Sequence, residues 1–400
     1  MSKNMNVPKL RFSEFGGDWE EKKLGDIGKV SMCKRIMKDE TTLVGEIPFY
    51  KIGTFGKEAD AYIDKELYEN YKNKYSFPKK GDILISASGT IGRTVVYNGL
   101  PAYFQDSNIV WIDNNDNLVK NFFLLYCYEN TKWNTEDTTI ARLYNENLRN
   151  VKIIIPLKKE QEKIASFLSS IDTKIEQLTK KESLLQEYKK GVMQKIFNQE
   201  IRFKADDGSE FCDWEEKKLD NIAKFSKGKG ISKSDIVENG NLECIRYGEL
   251  YTKYKETITD IYSKTNLDKK DLILSEYGDV IIPASGETQI DIATASCVLK
   301  DNIALSGDLN IIKTKEDGVF LSYYLNNKKK LDIAKLSQGI SVVHLYSSQL
   351  KLLILNLPCL KEQTKIANFL SSIDKKIEST KKELEKTKEF KKALLQQMFV

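Results

Sequence analysis

Basic side chains interleaved with aromatic ones, in turn-rich stretches, are the residues of this sequence with the most specific chemistry on offer. In the first half they are Lys34, Arg35 and Lys38 in SMCKRIMKDE, Lys51 in IPFYKIGTF, Arg93 in SASGTIGR, and Arg142 with Tyr144 in TTIARLYNENL. In the second half they are Lys227, Lys229 and Lys233 in SKGKGISKSD, Arg246 and Tyr247 in LECIRYGELY, and His344 with Tyr346 in GISVVHLYSSQL. Such a set suits a nucleic acid. Lysines neutralise phosphates and fix register, while an arginine can bond two acceptors on a base edge. Taken singly, each of these residues reads better as ordinary surface charge. Their recurrence in the same order in both halves makes them a group.

Other chemistries lack their residues. There is no G-x-x-x-x-G-K-[ST] loop, no G-x-G-x-x-G after a strand, no H-E-x-x-H and no G-x-S-x-G. SASGT at 86–90 has a serine in a turn, but the sole histidine, His344 in VVHLY, fits a framework role better than a catalytic one. The six cysteines form no C-x-x-C pair and read as reduced structural thiols. No metal or cofactor site is expected on this chain.

The elements that must position the basic loops come in duplicate. DWEEKKL occurs at 18–24 and again at 213–219, and KIASFLSSIDTKIE at 163–176 returns as KIANFLSSIDKKIE at 365–378. The chain is a tandem duplication of two scaffolds whose loops have diverged. In the first copy of the longer repeat, apolar residues fall at Ile164, Leu168, Ile171, Ile175 and Leu178; in the second they fall at Ile366, Leu370, Ile373 and Ile377. That spacing predicts two long helices, each opening after a proline with Lys-Glu-Gln in its first turn, and each carrying a coiled-coil seam. The cheapest partner for one seam is the other copy, antiparallel about a pseudo-twofold axis; the alternative is that each helix packs only on its own domain. A second apolar face (Phe167, Leu184, Tyr188, Phe369, Phe390) is suited to docking a helix from another protein. Outer-face charges such as Lys189 and Lys388 are expected in solvent.

Between the helices, short strands with glycine turns predict α+β domains. The organisation expected is 1–155 and 198–357 as two similar recognition domains, with 156–197 and 358–400 as spacer helices. DWEEKKL is expected to begin each domain's framework, with its tryptophan and leucine packed, and the C-terminal QQMFV to lie near the N-terminus. At 400 residues, 40% hydrophobic and 30% charged, with formal charge +5, the chain is a soluble multidomain protein with only a mild basic excess. No apolar run reaches membrane-spanning length, and the N-terminus lacks a signal-peptide core, so a cytoplasmic location with no membrane partner is expected.

Two variable segments joined to two near-identical helices opening in P-x-x-K-E-Q-x-K-I-A-x-F-L-S-S-I-D resemble the specificity subunit of Type I restriction-modification enzymes over essentially the whole chain. The resemblance implies two similar α/β target recognition domains, separated by two long antiparallel conserved helices that form a coiled coil with pseudo-twofold symmetry. Each domain would read one half of a bipartite, asymmetric site in double-stranded DNA. The helices, with Phe167 and Phe369 among their partner-facing residues, would set the unread spacer and dock two modification subunits. The subunit itself would be non-catalytic. S-adenosylmethionine, ATP and Mg would be bound by the modification and restriction subunits, and the lack of an N-P-P-[FYW] motif here fits that division. The rival readings are a coiled-coil scaffold with no DNA role, and an enzyme with an unrecognised site.

Overall fold

The computed structural model describes residues 6–133, 142–339 and 342–400. The chain forms two compact units: residues 1–179 with 382–400, and residues 180–381.

In the first unit, EEKK of the repeated phrase forms the strand Glu20–Lys23, which pairs antiparallel with the closing strand Lys152–Ile155. Trp19 and Leu24 on either side of it are buried. A four-stranded antiparallel sheet follows in the order Gly28–Met32, Ile109–Asn114, Ile83–Ser86, Thr94–Val96. Its inner strand ILIS is buried at every position, as a mostly apolar strand covered on both faces should be. A second small sheet (Thr41–Thr42, Tyr62–Ile63, Ile47–Tyr50, Tyr103–Phe104) carries the helix Lys65–Lys74.

The second unit repeats the plan. Glu215–Lys218 pairs with Ile354–Leu357, and Trp214 and Leu219 are buried. Its main sheet runs Ala223–Lys227, Leu309–Thr314, Val280–Pro283, Ser296–Val298, and then gains a fifth strand, Thr257–Ile258.

The long helices are Lys158–Phe197 and Leu360–Met398, of 40 and 39 residues. Each is shared between units. In the first unit, Ile164, Leu168, Ile171 and Ile175 pack into the domain core together with Leu394, Met398 and Phe399 of the other helix. Lys174 bonds Glu383 at 2.7 Å and Asp172 bonds Lys391 at 2.7 Å, so the two segments run antiparallel. In the second unit, Ile366, Leu370, Ile373 and Ile377 pack with Met193, Ile196 and Phe197. The seam therefore serves the partner helix and the adjoining domain at once. Leu178 is buried as well.

Two expectations about helix faces are corrected. Phe167 is not free to dock another protein, because the ring of Phe12 meets it edge-on at 5.8 Å; Phe203 covers Phe369 in the same way at 5.5 Å. Only Leu184, Tyr188 and Phe390 of that face are open, each 53% exposed. Lys189 is not solvated either. It lies under Tyr323 with Asp374 at 2.8 Å and Glu256 at 3.1 Å, as its counterpart Lys391 lies over Tyr126 between Asp172 and Glu129. Burial works against the Lys391 charge, but its bonds to Asp172 and Glu129 prevail and raise its pKa. Burial and the Asp172 carboxylate push the Tyr126 hydroxyl up.

The Lys-Glu-Gln turn acquires a physical role. Glu160 is 1% exposed and takes a two-pronged bond from Arg11, Nε at 2.7 Å and Nη2 at 2.8 Å. Glu362 is 0% exposed and takes the equivalent pair from Arg202, at 3.3 and 2.8 Å. Each carboxylate raises its arginine's pKa, and each guanidinium also caps carbonyls just before the repeated phrase (Gly16 and Gly17; Phe211 and Cys212). Gln161 accepts from Lys120 N and donates to the carbonyls of Leu118 and Pro156. Gln363 accepts from Asp317 N and donates to the carbonyl of Pro358 and to Glu316. The motif is a buried polar clamp that locks each helix start to the strand and helix beside it.

The ends of the first unit close on each other as expected. Leu10 N donates to Gln397 O at 2.9 Å, and Phe399 stacks on Phe123 at 5.5 Å and meets Trp19 edge-on at 6.2 Å. Phe197, Phe320 and Trp214 occupy the equivalent places in the second unit, where Phe320 meets both of the others edge-on.

Candidate nucleic-acid interface

In the first unit the candidate residues gather around the turn 86–93. Ser86 holds the turn closed, accepting from Arg93 N at 2.9 Å and donating to Thr90 O at 2.5 Å. Ala87 N donates to Asn108 O at 2.7 Å, and Leu143 N donates to Ala87 O at 2.8 Å. These bonds set Ser88 against Arg142 in a β-bridge and bring Ser88 Oγ within 2.9 Å of Asn108 Oδ1. Arg142 then lies over the ring of Tyr144 at 5.8 Å, and Tyr144 is 45% exposed. The neighbouring loop is tied in by Ile52 N donating to Gln105 Oε1 at 2.8 Å. Lys51, on that loop, pairs with Asp60, and Arg35 pairs with Asp106, both near the surface.

Arg93 is placed differently from the others. Its Nη2 donates to Ile52 O at 3.0 Å, its guanidinium packs over Phe55, and its Nε is buried without a partner. It braces the loop from inside. Lys34 is exposed, with its ammonium 5.3 Å from the Tyr75 ring. Lys38 sits on a separate turn, Lys38–Glu40, away from this group.

The second unit builds the same platform from other residues. Ala284 N donates to Asp308 O and Leu345 N to Ala284 O, at 2.8 and 3.0 Å. Ser285 thus pairs with His344 as Ser88 does with Arg142. His344 and Tyr346 are exposed and stack at 6.3 Å with an interplanar angle of 19°. Lys227, which ends the first sheet strand, and Lys229, on the loop after it, are exposed; the loop presses onto the turn at 305–309, where Lys229 N donates to Leu305 O at 3.0 Å. Gly228 permits that approach, since a Cβ there would stand 2.0 Å from Ser306 O. Arg246 follows Ile245, whose carbonyl accepts from Ser306 N, while Tyr247 packs against the core beneath. Lys233 lies on the turn Lys233–Asp235, the counterpart of Lys38, and is likewise set apart.

Seven residues in each half were singled out from sequence. The structure joins Lys51, Arg93, Arg142 and Tyr144 in one place, with Arg35 alongside, and joins Lys227, Lys229, Arg246, His344 and Tyr346 in the other. It leaves out Lys34, which lies by Tyr75, Tyr247, which packs on the core, and Lys38 and Lys233 on their own turns. Sequence reading missed Ser88, Gln105 and Asn108 and, opposite them, Ser285 and Asp308. The signal was there in QDSN and SGDLN, polar runs directly before a buried strand. The surface carries hydrogen-bond donors, acceptors and aromatic faces. Burial pushes the thiols of Cys33 and Cys297 up to about 12 and that of Cys244 up to about 11. Cys212, read with the others as a reduced structural thiol, is free and exposed. Among the described residues no group of three or more potential metal ligands occurs, and no helix is long and apolar enough to cross a membrane.

A family model, the Type I restriction modification DNA specificity domain, matches residues 16–186 and again 212–389. The chain belongs to this family. It is a Type I restriction-modification specificity subunit with two recognition domains. It is 28% identical to the putative type I restriction enzyme MjaX specificity subunit of Methanocaldococcus jannaschii, over 98% of this chain and 95% of that protein. It is 26% identical to the MjaVIII specificity subunit of the same organism, over 94% and 91%. A putative specificity subunit of Haemophilus influenzae, S.HindORF215P, is 60% identical over 157 residues, 39% of this chain; the chain thus matches less than half that relative's length, 41%. Among solved structures, the Type-I restriction-modification S subunit of M. genitalium shares the fold, with a TM-score of 0.64 at 17% identity over 98% of this chain and 99% of that one. A chain from a type I R-M system structure gives 0.53 at 14%, over 94% and 96%. Two recognition domains with paired long helices are thus the family's fold as well as this chain's.

Proposed function

We propose that each recognition unit of this specificity subunit reads one half of a split, asymmetric site in double-stranded DNA. On this reading the long helices fix the unread spacer and dock two modification subunits, to which restriction subunits add. The observation that carries it is the pair of equivalent surface positions filled differently: Arg142 with Tyr144 beside Ser88, His344 with Tyr346 beside Ser285. A common scaffold offering different side chains at one place is what two different half-sites require. The chain itself is non-catalytic on this reading. S-adenosylmethionine, ATP and Mg belong to its partners, and a target base is turned out of the duplex by the modification subunit.

Mapping methylated bases in cells that carry this subunit with its partners tests the proposal. The expected motif is two short unlike sequences with centres about one duplex turn, roughly 10 bp, apart. A continuous or palindromic motif overturns it. A gel-shift assay with and without modification subunits separates this reading from a scaffold without DNA recognition, for which no sequence-specific shift would appear.

A further inference from the structure

The main sheets of the two units differ at one edge. In the second unit the strand Ser296–Val298 is covered by Thr257–Ile258, which adds in parallel: Cys297 N donates to Glu256 O at 2.8 Å and Leu299 N to Ile258 O at 3.0 Å. Ile258 is 1% exposed in the core there. In the first unit the corresponding strand, Thr94–Val96, is the last in its sheet. Val96 stands opposite Ile83 as Cys297 stands opposite Val280. Tyr97 N donates to Asp82 O and Ser86 N to Arg93 O, so the alternation of an antiparallel ladder turns the N–H and C=O of Thr94 and Val96 outward. Among the described residues nothing pairs with the Val96 N–H, and the residue is 45% exposed.

The missing strand has a traceable origin. Tyr50 and Ile245 hold the same place beside Phe104 and Leu305, and Ile63 and Thr265 the same place beside Ile47 and Leu242. Between those landmarks lie residues 51–62 in the first unit and 246–264 in the second, that is 12 against 19. The covering strand Thr257–Ile258 lies within this longer stretch. Where that strand's apolar side chain would sit, the first unit has a cavity of about 230 Å³ lined by Tyr50, Phe55, Val95, Leu100 and Phe104, with Lys57 on its rim.

We propose that the Thr94–Val96 edge and this cavity form a docking site for an extended segment of a partner protein. The segment adds as a parallel strand, with a β-branched apolar residue in the cavity and an acidic flank facing Lys57. The chain's own second unit supplies the template: Glu256-Thr257-Ile258-Thr259-Asp260 has that pattern. Strand addition to an open edge derives affinity from main-chain bonds and selectivity from the side-chain pocket.

The test titrates the full chain with a fluorescein-labelled peptide copying residues 254–261 and follows anisotropy. Saturable binding is expected, weakened at least tenfold by Val96→Pro, which deletes the outward N–H, and by Ala102→Phe, which fills the cavity. A peptide carrying Ile258→Asp leaves the protein untouched and should fail to bind, which keeps the test decisive if either protein variant folds poorly. Absence of saturable binding overturns the proposal, as does binding indifferent to all three changes. Displacement of the peptide by duplex DNA, with DNA affinity falling in Val96→Pro, also overturns it and assigns the edge to the DNA surface instead.

Discussion

The two units agree where the chain holds itself together and disagree where it faces outward. Arg11 on Glu160 and Arg202 on Glu362, Lys391 on Asp172 and Lys189 on Asp374, and the aromatic pairs Phe399 with Phe123 and Phe197 with Phe320 are equivalent contacts made twice, though the first aromatic pair stacks and the second meets edge-on. At the platform beside Ser88 and Ser285, by contrast, a guanidinium in one unit is replaced by an imidazole in the other. Duplication preserved what requires a long-range partner and released what requires none within the chain. A clamp residue can change only together with a residue about 150 positions away, whereas a platform residue answers only to the ligand.

That contrast can be broken most sharply at the clamps. Arg11→Met and Arg202→Met each leave a carboxylate buried and unpaired, so each should lose about 3–5 kcal/mol of stability in denaturant unfolding. Unequal losses would show that the two clamps are not equivalent. Lys391→Met should cost less, about 2 kcal/mol, because Asp172 and Glu129 keep some access to water. Its pH dependence has a definite sign. The folded-state pKa of Lys391 is raised, so its contribution is whole below the ordinary lysine value near 10.5 and fades as pH climbs through the higher folded value. Stability curves of wild type and variant should run parallel from pH 7 to about 10 and converge above.

Effects on recognition should be smaller and one-sided. Arg142→Ala and His344→Ala should each relax the sequence preference of one half-site by roughly 1–2 kcal/mol and leave the other unchanged, read from competition binding with half-site variants. A variant that relaxes both would join the platforms into one surface. The smallest change is expected of Lys229→Ala, which should weaken binding to all duplexes by a few-fold and lower the salt slope by about 1.

Much of the scaffold is legible in the sequence because duplication writes it twice. The helices follow from their apolar spacing, the framework strands from the repeated phrase, and the nearness of the two ends of the first unit from NQEIRF, which links the first helix to the second copy of that phrase as VPKLRF precedes the first. The clamp is not legible in the same way. Lys-Glu-Gln can be seen to recur, yet Arg11 stands 149 positions from Glu160, and nothing local says that this carboxylate is buried rather than exposed in a first helical turn. Lys189 looks like any outer-face lysine until the fold sets Tyr323 and Asp374 against it. On the platform, Arg142 and His344 are found by charge and repeat position, but Arg93 has the same charge and a structural task. Side-chain type alone does not separate a residue that braces a loop from one that offers itself to a ligand.

The placing of Phe399 has a consequence for how the protein is made. The second unit consists of one uninterrupted stretch, 180–381, and can complete its core as soon as that stretch has left the ribosome. The first unit, though begun earlier, lacks Leu394, Met398 and Phe399 until the whole second unit has been made, and must hold the pocket around Trp19 and Phe123 open while some 200 further residues are added. The unit that comes first in the sequence is therefore the later of the two to complete its core.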